Sequence, residues 1–319
     1  MNKKGIDVSI VIPVFCNEES LFPLFEIIKQ TVIENNKDRR FEIIFIDDGS
    51  TDNSFNKLQD LRDKNREVVK IIKFTRNFGQ VYAIMAGYRY AKGDCIVNIS
   101  ADLQDPPELI NKMLKYYFND KCEIVVCTRE SREDSFYRHK TSRLFYKLMK
   151  RLCFPNMPEG GFDFALISKK VKEIILETSE ANPFWQGQIL WTGYQVKYIP
   201  YKRRRREFGQ SKWTFFKKVK YLIDGVVNYS YFPIRLVSLV GCLVALIGFI
   251  YAIVIILARI FGKVPFKGWA PIMILILVLS GIQMLMVGVV GEYLWRILEQ
   301  VKNRHPYIIE KVYDEEYNG

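Results

Sequence analysis

Apolar and polar positions change period several times along the first part of the chain. Val8–Val14, Phe41–Ile46, Val68–Phe74, Cys95–Ile99 and Glu123–Val126 are short apolar runs rich in β-branched residues. Between them, Ser20–Ile33, Ser54–Asp63, Val81–Ala91 and Pro107–Tyr117 repeat their apolar residues at helical spacing. Alternation of this kind predicts an α/β fold, a mostly parallel sheet with helices on both faces. In such sheets ligands sit beyond the carboxyl ends of the strands. The segments to inspect are therefore Pro13–Glu19, Asp47–Asp52, Thr75–Gln80 and Ser100–Asp105.

The pattern then becomes continuously apolar. Leu236–Ala258 and Trp269–Gly291 are each 23 residues without a charge. At about 1.5 Å per residue each reaches roughly 34 Å, enough to cross a hydrocarbon core of about 30 Å. Trp269 stands at one edge, Tyr293 and Trp295 at the other, as interfacial aromatics do. Lys217, Lys218, Lys220 and Arg235 precede the pair and Arg296, Lys302, Arg304 and Lys311 follow it. The excess of basic flanks predicts a two-span hairpin in the cytoplasmic membrane with the large preceding domain and both termini cytoplasmic. The expected divisions are a cytoplasmic domain over 1–210, an amphipathic juxtamembrane segment over 211–233, spans over 234–260 and 269–295, and a cytoplasmic tail over 296–319. Ser135–Phe154 and Ser211–Phe232 interleave aromatic and aliphatic residues with Lys and Arg, the pattern of helices lying on an anionic bilayer.

Composition narrows the reading. There are 47 Lys+Arg against 35 Asp+Glu, a formal charge of +12, and 49% hydrophobic residues, which excludes a disordered chain. Basic residues facing anionic lipid account for the charge, and no nucleic-acid motif accompanies it. Six scattered cysteines contain no C-x-x-C pair, which argues against a zinc site or disulfide framework. Two histidines, His139 and His305, leave little room for histidine catalysis. The start, MNKKGIDVSIVIPV, reads as a first strand and not a signal peptide, because Asp7 and Pro13 interrupt the apolar run.

Two strand ends carry chemistry. Asp47-Asp48-Gly49-Ser50-Thr51-Asp52 suits a nucleoside, whose hydroxyls and base N–H groups donate to carboxylates. The same residues also suit a turn that caps the next helix. In Ser100-Ala101-Asp102-Leu103-Gln104-Asp105-Pro106-Pro107-Glu108, Asp105 and the prolines read as a helix start. That leaves Asp102 and Gln104 at the sheet edge. One carboxylate and one amide oxygen fit a hard cation that also binds diphosphate oxygens and keeps its waters.

With Pro13-Val14-Phe15-Cys16-Asn17-Glu18-Glu19 on the first strand, these motifs resemble the family 2 glycosyltransferases of GT-A, Rossmann-like fold. The resemblance is closest to the polyprenyl-phosphate glycosyltransferases, which include dolichol-phosphate mannose synthase and bacterial undecaprenyl-phosphate sugar transferases. It implies a nucleotide-sugar donor, a polyprenyl phosphate acceptor, Mg2+ or Mn2+, a bilayer location and a homo-oligomer. Pro13, Glu18, Ile46 and Asp48 would line the nucleoside pocket, with Ser100, Ala101 and Asp102 beside them and either Phe15 or Cys16 on the base. Asp102 and Gln104 would hold the metal. Arg129 would face the phosphates or acceptor, and Arg206 and Lys212, in an R-x-x-G-x-S-K signature, would meet phosphate. Asp163 would orient the acceptor or sugar, or act as a base.

The chain departs from the family pattern at Ser100, where the usual D-x-D has its first acid, at the extra Cys16, and at Ala165, where relatives carry arginine. Arg203 and Arg204 read as a solvated basic run. A processive polysaccharide synthase is the nearest alternative, but two spans enclose no polymer channel and Gln188-Ile189-Leu190-Trp191 lacks that group's arginine. A catalytically inactive membrane scaffold that binds nucleotide has only Ser100 in its favour.

Overall fold

The computed structural model describes residues 5–129, 149–158, 160–178, 180, 182–204, 223–261, 270–302 and 304–314. The chain divides into two compact units, one containing the sheet and the residues after Arg304, the other Gly225–Arg304.

The first unit is built on an eight-stranded sheet in the order β7-β5-β6-β4-β1-β2-β3-β8. Its core strands are β1 (Val8–Val14), β2 (Phe41–Asp47), β3 (Val69–Phe74) and β4 (Cys95–Asn98). They pair in parallel, β1 lying between β2 and β4. Their near-continuous apolar sequences follow from burial on both faces. Beyond β4 the sheet turns mixed. β6 (Phe164–Ser168) runs antiparallel to β4 and to β5 (Ile124–Arg129), and β5 pairs in parallel with β7 (Val196–Tyr201).

Helices α1 (Leu21–Ile28), α2 (Ser54–Lys64) and α4 (Leu109–Phe118) bury Leu21, Leu24, Phe25, Leu58, Ile110 and Met113 in the same core as Val8, Ile10 and Ile12. Helix α3 (Gln80–Tyr90) packs on the other face, so closely that a Cβ at Gly87 would sit 2.9 Å from Ile46 Cδ1. Ile46 is therefore fully buried beneath α3. The periodicity that predicts one helix to Ile33 is broken by a π turn over Lys29–Ile33, where the Asn35 and Asn36 amides bond the Thr31 and Val32 carbonyls. Two further helices, α5 (Lys169–Glu177) and α6 (Trp185–Trp191), complete this unit.

The C-terminal segment, expected as a tail, returns to the sheet. Strand β8 (Ile309–Tyr313) pairs antiparallel with β3, Tyr307 stacks on Phe74, and Asp314 meets Lys70 at 2.9 Å. Lys70 also holds the buried Glu42 at 2.9 Å, so one buried charge network ties the last strand to β2 and β3.

The second unit contains α7 (Phe232–Ile260) and α8 (Ala270–Lys302), of 29 and 33 residues. Within them, Phe232–Leu257 and Val278–Lys302 are long and apolar enough to cross a membrane and are unburied by the rest of the chain. The amphipathic segments 135–154 and 211–232 fall largely outside the described residues.

Candidate active site

The carboxyl end of β4 opens onto a tight turn. Leu103, between Asp102 and Gln104, takes a left-handed conformation (φ 59°), although its side chain is largely buried in the core. Such a backbone costs a non-glycine residue about 1–2 kcal/mol, and anchoring of the flanking residues offsets it. Ser20 Oγ donates to the Ala101 carbonyl at 2.6 Å, tying the turn to the start of α1. Ser100 Oγ lies 2.6 Å from Asp102 Oδ1 and 3.2 Å from Asp105 Oδ2, so the hydroxyl that replaces the expected acid bridges two carboxylates.

Asp105 does not cap α4, contrary to the expectation from its sequence position; that helix begins at Leu109 without a side-chain cap. Asp105 is instead fully buried and accepts from the Tyr201 hydroxyl and, at 3.2 Å, from Arg203 Nε. Arg203 also approaches Asp102 Oδ2 to 3.7 Å, and its side chain is only 12% exposed. The solvated reading of Arg203 is thus corrected: β7 carries the basic run directly over the acidic turn. Arg204 is the half-exposed member, paired with Glu108 at 3.0 Å.

A second cluster lies at the ends of β5 and β6. The Arg129 guanidinium is paired with Asp163, whose carbonyl accepts from Asn98 Nδ2 at 2.7 Å. Gln186 Nε2 bonds the Phe162 carbonyl at 2.5 Å. Behind these, Trp185 donates to the Tyr88 hydroxyl and Tyr88 to Asn98, a buried chain that fixes the β4 end. Tyr201 stands between the two clusters: its hydroxyl bonds Asp105, and the nearby Arg129 charge acts on it. Burial and the neighbouring Asp105 charge push its phenol well above the ordinary tyrosine range, so it stays protonated and donates. Tyr201, Asp105, Arg203, Ser100 and Asp102 form one network of hydrogen bonds and ion pairs, with the Arg129–Asp163 pair beside it.

The nucleoside residues foreseen at β1 and β2 are arranged differently from one another. Asp48 turns its carboxylate to the loop after β3, accepting from Phe78 N at 2.7 Å, Gly79 N at 2.9 Å and Asn77 Nδ2 at 3.0 Å. Glu18 Oε2 accepts from Asn53 N at 3.0 Å, before the first turn of α2. Pro13 and Phe15 are partly exposed at the end of β1, and Cys16, in a left-handed conformation (φ 53°), donates its N–H to Ser50 Oγ at 3.0 Å. Ile46 and Ala101 contribute packing and backbone, both being buried. Arg206 and Lys212 lie outside the described residues.

The donor set fits a hard divalent cation shared between protein and substrate. Asp102 and Gln104, each 8% exposed, offer a carboxylate and an amide, while thiol and imidazole are absent from the turn. Among the described residues no cluster of three or more His, Cys, Asp or Glu could hold the ion alone. A cation already stands against Asp102 in the form of the Arg203 guanidinium.

The sequence assigns this α/β sheet and its polar edge: the chain belongs to glycosyl transferase family 2, whose profile matches residues 9–175. It is a glycosyltransferase. It is 35% identical to an uncharacterized glycosyltransferase of Synechocystis over 98% of this chain and 97% of the relative. It is 36% identical to a prophage-derived bactoprenol glucosyl transferase of Shigella flexneri, over 95% of this chain and 97% of that one. Among solved structures, a mannosyltransferase from Pyrobaculum calidifontis, in complex with GDP-Man and Mn2+, is similar at 16% identity and TM-score 0.46, over 70% of this chain and 64% of that one.

Proposed function

We propose that this glycosyltransferase moves a sugar from a UDP-linked donor to a polyprenyl phosphate, undecaprenyl phosphate, at the cytoplasmic face of the membrane. The product is a lipid-linked sugar for modification of the cell envelope. Support for the acceptor comes from the full-length similarity to bactoprenol glucosyl transferases and from two exposed helices of membrane-spanning length.

The observation that carries the reading is the polar cluster at the ends of β4, β5 and β7. It contains three carboxylates, Asp102, Asp105 and Asp163, and two guanidiniums, Arg129 and Arg203. Among these described residues the carboxylates outnumber the guanidiniums by one, which disfavours a bare diphosphate. Asp102 and Gln104 would hold a divalent cation, which would reverse that balance and supply charge neutralisation for the departing nucleotide.

The chain's own residues then position the reactants. The acceptor phosphate is already an anion near neutral pH, so it attacks the anomeric carbon directly, with inversion, and needs no strong base. Arg129 holds phosphate oxygens against the Asp163 carboxylate, and Asp163, 42% exposed, orients the acceptor or sugar. Arg206 and Lys212 complete the phosphate clamp in this proposal. The turn at Leu103 and the Tyr201–Asp105 bond keep Asp102 and Arg129 at fixed separation. The proposed divisions remain a catalytic domain over 1–210, a juxtamembrane segment over 211–233 and spans over 234–260 and 269–295, with β8 now assigned to the catalytic unit.

The test is a panel of radiolabelled sugar nucleotides incubated with the purified full chain and undecaprenyl phosphate, with Mg2+, Mn2+ or EDTA, followed by lipid extraction. Metal-dependent label in the lipid phase supports the proposal. Absence of label with every donor, from a folded preparation, refutes it.

A further inference from the structure

Arg203 is tied to two carboxylates in unequal ways. Its Nε lies 3.2 Å from Asp105 Oδ1, a hydrogen bond to a fully buried partner. Its terminal nitrogen is 3.7 Å from Asp102 Oδ2, too long for a hydrogen bond, so that arm is Coulombic only. The main chain beside it is pinned to the same turn, because Arg204 N donates to the Gln104 carbonyl at 2.9 Å and Gln104 Nε2 to the Arg204 carbonyl at 3.3 Å. Tyr201, two residues earlier, donates to the same Asp105 oxygen. The guanidinium is therefore held firmly through Nε, while its terminal nitrogen has only the longer contact to Asp102. Its side chain is 12% exposed, in a place where an unpaired cation is costly.

We propose that Arg203 is the positioning cation of the donor site. While no metal is bound it offsets part of the charge of the Asp102–Asp105 pair. When a divalent cation arrives, Arg203 yields Asp102 to it and turns its terminal N–H groups to the donor diphosphate, Asp105 keeping hold of Nε. The planar fork of arginine permits both contacts at once; a lysine ammonium, a single point charge, does not. The same exchange explains why a serine is tolerated at position 100. With two carboxylates at the turn, one guanidinium offsets half the charge, whereas a third acid within reach of Ser100 Oγ would lie beside both. This inference rests on the metal and nucleotide reading given above.

The experiment is a Mn2+ titration of the full chain in detergent, followed by electron paramagnetic resonance, with and without UDP. Wild type should bind Mn2+ weakly alone and more tightly with UDP. In Arg203→Gln, Mn2+ alone should bind at least about fivefold more tightly, because its competing cation is gone. The gain from UDP should shrink by about the same factor, because a phosphate contact is lost. Opposite signs in the two titrations are not produced by a merely structural defect. Arg203→Lys keeps the charge, so its affinity for Mn2+ alone should match wild type while the UDP gain falls; this variant also serves if the glutamine form does not fold. Unchanged Mn2+ affinity in Arg203→Gln, or an undiminished UDP gain in Arg203→Lys, overturns the proposal. If wild type binds no Mn2+ with or without UDP, the metal reading itself fails, which is a distinguishable result.

Discussion

Asp48 is the residue at which a direct nucleoside contact and a structural role part most sharply. It is 3% exposed, with Oδ1 accepting from Phe78 N at 2.7 Å and Oδ2 from Gly79 N at 2.9 Å and Asn77 Nδ2 at 3.0 Å. In Asp48→Asn one oxygen becomes an NH2 group. The cheaper orientation points that group at Phe78 N–H, leaving a buried donor unpaired at a cost of about 1–3 kcal/mol. The two surviving bonds lose their charge assistance, about 1 kcal/mol each. The sum is about 4 kcal/mol, which for a domain of this size lowers Tm by about 8–16 °C. Circular dichroism melting of the full chain, together with hydrogen exchange at Phe78 and Gly79, measures both consequences. The expected outcome is a large drop in Tm and lost protection at those two amides. A variant that melts within about 2 °C of wild type, keeps both amides protected and loses only UDP affinity would refute the loop-anchoring role and restore Asp48 as a nucleoside contact.

Three further outcomes are expected. Gly49 has φ +68°, and a Cβ there would sit 2.6 Å from Asn77 N, so Gly49→Ala should lose about 2–4 kcal/mol in thermal unfolding and be less than additive with Asp48→Asn, since both act on one loop. Asp314→Ala should strip hydrogen-exchange protection from Ile309–Tyr313 and cost about 2–4 kcal/mol, because the largely buried Lys70 loses one of its two carboxylates and Lys92 loses its ion pair. Asp47 is fully buried, its Oδ2 is without a hydrogen-bond partner, and burial, partly opposed by Ser50, raises its carboxyl pKa above the model-compound value of 3.8. The native state thus holds this proton to higher pH than the unfolded chain, and the associated stability is present below that value and lost as pH rises through the raised one. Asp47→Asn removes this dependence, so its Tm relative to wild type should climb as pH rises from the ordinary carboxylate range through the raised value.

The parallel core was legible because burial on both faces leaves strands apolar along their length, as in Val8–Val14 and Ile43–Ile46. Asp102 and Gln104 stood out because polar residues at the end of such a strand have no packing role. Arg203 and Tyr201 did not stand out. A run of basic residues has no local signal separating the one that folds under a turn from those in water, and the acid that selects Arg203 is almost a hundred positions earlier. Asp105 was misread for the same reason: its proline-flanked sequence fits a helix cap, and only tertiary contact with β7 gives it another use. Strand β8, Ile309–Tyr313, is a half-exposed edge strand with charges at Glu310 and Lys311, and its partner β3 lies far away in sequence. No periodicity reports such a pairing.

The proposed function rests on the site's unity: Asp102 and Arg129, on either side of Tyr201, would serve one diphosphate. The most direct measurement is an experimental structure of the full chain with UDP and Mn2+. The metal should touch an Asp102 oxygen and the diphosphate together, with Arg129 nitrogens about 3 Å from phosphate oxygens. A diphosphate bound away from the β4 turn, with Asp102 still against Arg203 and Arg129 still against Asp163, would contradict it.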